Sequence, residues 1–359
     1  MRVGILGAGA IAYGCAAYLA DAGHSPVLWS PSGNRTRQLA EGEKLVATNA
    51  VEGAFTIAVA QNCAAALDKA DVVLIALPAY GHKAVMDAAA PHLRPGQPVI
   101  ISSHTSFGGL YLSRLLAARG VELPIIVWGT TLVTGRQQDP TSVNVATVRQ
   151  KVDVATIPAS AINEGHALCT ALFGDRFVRR DGLMAIALSN LNPQNHLGIA
   201  LLNLTRMEKG ERWGQGENVT PAVGRLIEAL DEERLAIAAS FGLSVRTVRE
   251  HFSLSFHVPM GSVCDMNREM HRQGRGGFGP TTIESRYILE DAPFGLWPTA
   301  LLGRLAGHLA VLHESGIALY SAAYGRDLIA DNDILPVLGL EKLTPEQLQA
   351  LCRNGYAPA

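Results

Sequence analysis

The chain has 359 residues, 48% of them apolar, which is long enough for two domains and apolar enough for a sizeable core. A formal net charge of -2 gives no basic surface to attract nucleic acid or an anionic membrane, so neither is expected as a partner. Five cysteines stand far apart with no CxxC pair, which argues against a disulfide framework or a metal site and for a reducing, cytoplasmic setting.

The first strand, Val3 to Leu6, begins at once, with no signal-like succession of basic, apolar and small residues ahead of it. It runs into "GAGAIA", Gly7 to Ala12, where a helix is expected to open. That context is the one a dinucleotide fingerprint requires. Gly7 permits the tight turn and Gly9 admits a pyrophosphate to the helix N-terminus. Ala10 and Ile11 start the helix, and Ala12 replaces the third glycine at the helix–strand contact. The second strand, Val27 to Trp29, ends in "SPSGNRTR" with no acid before Glu41 to meet the ribose 2'-hydroxyl of NAD. Ser30, Ser32, Asn34 and Arg35 offer donors suited to a 2'-phosphate, so NADP(H) is favoured, with NAD(H) as the other option.

Further strands are expected at Val72 to Ala76, Val99 to Ser102 and Ile125 to Trp128, with Val143 to Val148 and Val152 to Ile157 finishing the same sheet. Ligands bind a doubly wound sheet at the carboxyl ends of its strands. There "ALPAYGH" places Leu77, Pro78 and Ala79 near a nicotinamide ribose, and "SSHTSFGG" places His104 and Thr105 near the reacting carbon. An ordinary loop histidine is the competing reading of His104.

Beyond Asp181 the strand signal gives way to helices, so the expected fold is an amino-terminal Rossmann-type doubly wound α/β domain, residues 1–180, followed by an all-α domain, residues 181–359. Gly182 to Thr205 carries no charge and is long enough to span a bilayer, but its asparagines, Gln194 and His196 suit burial in protein better. Asn192, His196 and Asn203 fall on one helical stripe, with Asn192-Pro193 read as N-cap and first helical position. His196 is either a reacting group or a satisfied core histidine, and spacing does not choose. Thr220-Pro221 opens a helix that stops at Gly242, and the glycines of "HRQGRGGFGP", His271 to Pro280, suggest a mobile loop. Thr281 and Glu284 have capping-box spacing for a short helix that Pro293 would end. Within "SRYILEDAPFGL", Arg286 faces Glu290 at four residues while Asp291 lies on the side of Tyr287. Arg286 and Glu290 form an intrahelical pair, or else Arg286 binds a substrate carboxylate while Asp291 orients a histidine.

"SNLNPQNH", "TPAVGRL" with "DEERLAIA", and "GPTTIESRYILEDAPFGL", together with the fingerprint and the closing "LGLEKLT", resemble the opine dehydrogenase family over nearly the whole chain. The resemblance implies an oxidoreductase acting on CH–NH groups, in which an α-keto acid condenses with the amine of an amino acid and the imine is reduced to a secondary-amine dicarboxylate. It places the family's catalytic histidine on His196, its aspartate on Asp291 and its substrate arginine on Arg286, with Asn192 matching a polar residue of the same helix. Where several relatives have a carboxylate after the strand matching Ile125 to Trp128, this chain reads "WGTTLVTG", which implies a neutral or apolar amino acid. The competing classes are a ketopantoate-reductase-like or β-hydroxyacid dehydrogenase and a non-catalytic NADP(H) sensor. The first uses a lysine on the central helix, and none occurs between Asp181 and Met207. Apolar helical faces leave a homodimer open.

Overall fold

The computed structural model describes residues 1–358. The chain divides into two compact units, Met1–Ala187 with the segment from Gln347 onward, and Leu188–Glu346.

In the first unit the strands are β1 (Arg2–Leu6), β2 (Ser25–Trp29), β3 (Leu45–Asn49), β4 (Gly53–Phe55), β5 (Ala58–Val59), β6 (Val72–Ile75), β7 (Val99–Ile101), β8 (Ile125–Trp128), β9 (Val133–Asp139), β10 (Ser142–Val148), β11 (Val152–Ile157) and β12 (Phe177–Arg179). Eight of them form one sheet in the order β12-β11-β8-β7-β6-β1-β2-β5. Every pairing in it is parallel except β11 with β8. Strand order reverses beside β1, where β2 lies on one side and β6 on the other, and a doubly wound sheet binds its ligand at such a switch point. β6, β7 and β8 are buried throughout, as both-face covering demands.

Helix α1 (Ala10–Asp21) is apolar nearly all round, "AIAYGCAAYLAD", and a helix of that kind needs cover on more than one side. A second sheet, β4-β3-β10-β9, supplies it. A Cβ at Gly14 would stand 3.0 Å from Val133 Cγ2 and 3.5 Å from Val145 Cγ2, so β9 and β10 lie directly on the helix. This corrects the expectation that Val143 to Val148 finishes the main sheet. Only Val152 to Ile157 does so, because β10 hairpins back onto β9 and its inward Val143 and Val145 are buried.

The second unit is helical, with α2 (Asn192–Leu201), α3 (Pro221–Ser240), α4 (Arg286–Leu289), α5 (Trp297–Leu305) and α6 (Val311–Tyr324) among its helices. Leu197, Ile199, Ile227, Leu230, Ile288, Leu296, Ile317 and Tyr320 share its core. The uncharged stretch from Gly182 is three helices rather than one, broken at Asn190 and again at Leu202, and no helix of the described residues is long and apolar enough to cross a membrane.

Three local expectations change. Pro293 does not end a helix: it sits in the first turn of a π-helical segment, Ala292–Leu296, that leads into α5, where its missing N–H is no loss. The cap of α4 is Ser285 rather than Thr281, its Oγ accepting from Tyr287 N at 3.3 Å. The chain also departs from the helical unit at its end, where Leu348 and Cys352 are buried, Arg353 pairs with Asp181 at 2.7 Å and Tyr356 N donates to Ser113 Oγ at 2.9 Å. A helical pattern reports an apolar face, not which core receives it.

Candidate active site

β1 delivers the fingerprint to the switch point. Gly7 has φ of 142°, and a Cβ there would lie 2.2 Å from Ala76 O, so only glycine fits. Gly9 caps α1 without any side-chain hydrogen bond, which leaves the first-turn N–H groups to an anion. Ala12 is fully buried, as close helix packing requires. After β2, Ser30 Oγ is buried with no hydrogen-bond partner among the described residues. Arg35 Nη1 lies 3.8 Å from the point a Gly9 Cβ would occupy, so the guanidinium stands beside the fingerprint. Tyr13 Oη fixes that turn by donating to Arg35 O at 2.5 Å. Ser32 Oγ accepts from Asn34 N at 3.4 Å. A dinucleotide phosphate fits this cradle of backbone donors at the helix end with the Arg35 cation beside it.

Past β6, Leu77 O accepts from His82 Nε2 at 3.0 Å, and Pro78 caps a turn that begins at Ala79. Past β7, Ser102 to Phe107 is unusual. Ser103, Ser106 and Phe107 all have positive φ, and Ser102 Oγ, both His104 ring nitrogens and Thr105 Oγ1 are buried with no hydrogen-bond partner among the described residues. Strain and orphan polar groups together mark functional loops. Burial, with His82 nearby, pushes the His104 ring down to about 3, so it is neutral at physiological pH. A cavity of about 570 Å³ lined by Ser113, Pro124, Ile157 and Tyr356 lies at the start of β8, the opposite strand edge, and holds none of these residues.

In the second unit, α2 carries His196 and the segment after α4 carries Asp291. Their side chains meet, Nδ1 to Oδ2 at 2.6 Å, across 95 residues of sequence. The carboxylate accepts only, so it selects the Nδ1–H tautomer and leaves Nε2 as the exchanging nitrogen. Both side chains are about one-sixth exposed, 17% and 15%, so the pair is open to solvent. Arg286 pairs with Glu290, whose side chain is 10% exposed, yet its own side chain is 66% exposed. Parts of both sequence alternatives are present: Arg286 has its intrahelical acid, and Asp291 has a histidine.

Asn192 is the first residue of α2 rather than its cap, exposed, with its N–H held by Asn190 Oδ1 at 3.1 Å. Asn203 does not extend the stripe. The helix ends at Leu201, and Asn203 turns back to donate to Ile199 O at 2.9 Å. Sequence reasoning passed over Gln194, which is buried and bonded to His313 Nε2 at 3.0 Å, while His313 Nδ1 meets Glu233 at 2.8 Å. It also passed over Asn195, whose buried Oδ1 has no partner among the described residues, and Tyr287, which stacks on His196. The cluster "NPQNH" signalled all but the last.

Residues 179–324 match the family described as NAD/NADP octopine/nopaline dehydrogenase, alpha-helical domain, and residues 3–158 match ketopantoate reductase PanE/ApbA. The chain is 29% identical to an opine dehydrogenase of Arthrobacter sp. (strain 1C) over 95% of each chain. Its fold matches octopine dehydrogenase, solved with NADH and L-arginine, at a TM-score of 0.78 with 14% identity over 98% of each chain. Yersinopine dehydrogenase with NADP+ bound matches at 0.71 with 17% identity, over 98% of this chain and 97% of that one. These similarities make it an oxidoreductase of the class acting on CH–NH groups. The chain is thus similar to the opine dehydrogenases along nearly its whole length, and its helical half matches their alpha-helical domain.

Proposed function

We propose that this protein reductively condenses an α-keto acid with the amine of an amino acid to give a secondary-amine dicarboxylate, with NADPH as reductant. The observation that carries the reading is the 2.6 Å contact between His196 and Asp291, the latter five residues along the chain from an exposed arginine. His196 Nε2 takes a proton from the substrate ammonium, freeing the nitrogen to add to the keto carbon. It returns that proton to the departing hydroxyl, so water leaves and a protonated imine remains. Asp291 stabilises the imidazolium between the two transfers. When bound, the reduced nicotinamide supplies the hydride that saturates the imine carbon. Arg286 binds a substrate carboxylate through its guanidinium fork, with Glu290 holding the cation in place, and Asn192 gives a second polar contact. Ser102, His104 and Thr105 receive keto-acid oxygens as neutral groups, which the orphan atoms of that loop support.

NADPH preference rests on Arg35 beside Gly9 and on Ser30, Ser32 and Asn34 in place of an acid. Gly7, Gly9, Ala10, Ile11 and Ala12 hold the pyrophosphate, and Leu77, Pro78 and Ala79 the nicotinamide ribose. A neutral or apolar amino acid fits "WGTTLVTG". We further propose a cytoplasmic homodimer, for which the exposed Leu309, Val311 and Leu319 offer an apolar face. The ketopantoate-reductase match stops at residue 158, short of the catalytic half, and the lysine that reaction uses is absent from α2.

The test is NADPH oxidation over a matrix of keto acids and amino acids. His196→Ala and Asp291→Asn are expected to lower turnover by about 100-fold or more while NADPH binding, read by fluorescence, stays intact. Wild-type rates in both variants would remove the assigned roles, and consumption with ketopantoate alone would move the protein to the other class. In the same assay kcat/KM is expected to be higher for NADPH than for NADH, and Arg35→Ala to narrow that gap. Equal use of both cofactors by the wild type would refute the phosphate pocket.

A further inference from the structure

The hydrogen bond from His196 to Asp291 fixes one axis of the imidazole and leaves the ring free to turn about it. Tyr287 removes that freedom. Its ring stacks on His196 with centroids 3.6 Å apart and planes 10° from parallel. The tyrosine is itself anchored, since its hydroxyl donates to Gln215 Oε1 at 2.6 Å. Gln215 N in turn donates to Gly277 O at 3.1 Å, and Gly214 bridges Phe278. Trp213 Nε1 donates to Pro280 O at 3.0 Å. The glycine-rich segment expected as a mobile loop is thus hydrogen-bonded along the Trp213–Gly216 backbone and serves as footing for the tyrosine. Tyr287 also follows Arg286 directly in the one-turn helix that Ser285 caps.

We infer that Tyr287 is a positioning residue that holds the plane of the His196 ring, so that Nε2 stays aimed at the reacting atoms while Arg286, on the same turn, holds the substrate carboxylate. Asp291 sets which nitrogen reacts, and Tyr287 sets where it points. The inference rests on the imine-reduction reading. A misdirected base costs turnover rather than binding, because the ground-state contacts of substrate and cofactor lie elsewhere.

The experiment compares Tyr287→Leu, Tyr287→Phe and Gln215→Leu with His196→Ala, using the keto acid and amino acid pair that the matrix identifies. Tyr287→Leu is expected to lower kcat by about 10- to 100-fold, with KM for the keto acid and Kd for NADPH within about twofold of wild type. The solvent isotope effect on kcat should rise as proton transfer becomes slower. Tyr287→Phe keeps the stacked ring and is expected to recover most of the loss. Gln215→Leu keeps the ring but releases its hydroxyl, and should cost a few-fold in kcat; it carries the test if the leucine variant does not fold. Wild-type kcat in Tyr287→Leu, a phenylalanine variant as slow as the leucine one, or a change confined to KM would each overturn the inference. His196→Ala separates the two claims. An inactive alanine variant beside a fully active Tyr287→Leu sinks only the stacking, whereas an active alanine variant sinks the reaction itself.

Discussion

His104 shows how much a single residue can conceal. The sequence offered it either as a group near the reacting carbon or as an ordinary loop histidine, and in the structure it is fully enclosed with neither ring nitrogen bonded within the described residues. Burial, then His82, lowers its pKa to about 3, against about 6.5 in an unfolded chain. Between those values the unfolded chain binds a proton that the folded one refuses, so stability is lost as pH falls. The loss from this group is about 2 kcal/mol between about pH 7 and about pH 5. His104→Gln, similar in size and without a titrating proton, is expected to flatten that part of the profile, read from urea unfolding at the two pH values. A slope equal to wild type in the glutamine variant would mean that the ring titrates normally. Spacing alone showed His196 only as a polar position on an apolar helix, and the family resemblance singled it out. Its partner was legible only through the family resemblance, because Asp291 lies 95 residues away and local spacing carries no information across that distance.

At the scale of elements, the long helix α3 shows what the motif "DEERLAIA" does. Asp231 and Arg234 are both buried and pair at 2.6 Å, while Arg234 also donates to Leu188 O and Arg246 O, and Asp231 Oδ2 accepts from Val248 N at 2.8 Å. One ion pair thereby closes the start of this unit, the long helix and the following helix into a single set of hydrogen bonds. Arg234→Met leaves the Asp231 carboxylate buried without its cation and is expected to cost about 3–5 kcal/mol in chemical denaturation, with activity at low temperature largely kept. A cost below about 1 kcal/mol would show that water reaches the aspartate. Most elements were readable: the strands from Val3, Val27, Val72, Val99 and Ile125 and the Pro221 helix stand where their residues predict. The misplacements share one cause. Val143 to Val148 has strand character in either sheet, Pro293 is tolerated in any first turn, and Asn203 lies on the stripe only if the helix continues. Each depended on a neighbour that periodicity does not name.

For the whole molecule, sequence and structure divide the work cleanly. The sequence by itself determined the α/β half with its fingerprint, the helical half and the missing acid after the second strand, and motifs in the second half named the histidine, aspartate and arginine proposed for the site. Those are properties of residue type and short-range order, and short-range order is what steric preference and apolar spacing encode. Only the tertiary structure decided that β9 and β10 cover α1 as a separate sheet and that the last segment returns to the first unit. It alone decided that Asp291 reaches His196 while Glu290 keeps Arg286, and that a tyrosine lies flat on the imidazole. Those are choices of partner between equally suitable surfaces, and packing makes them only when the chain has closed on itself.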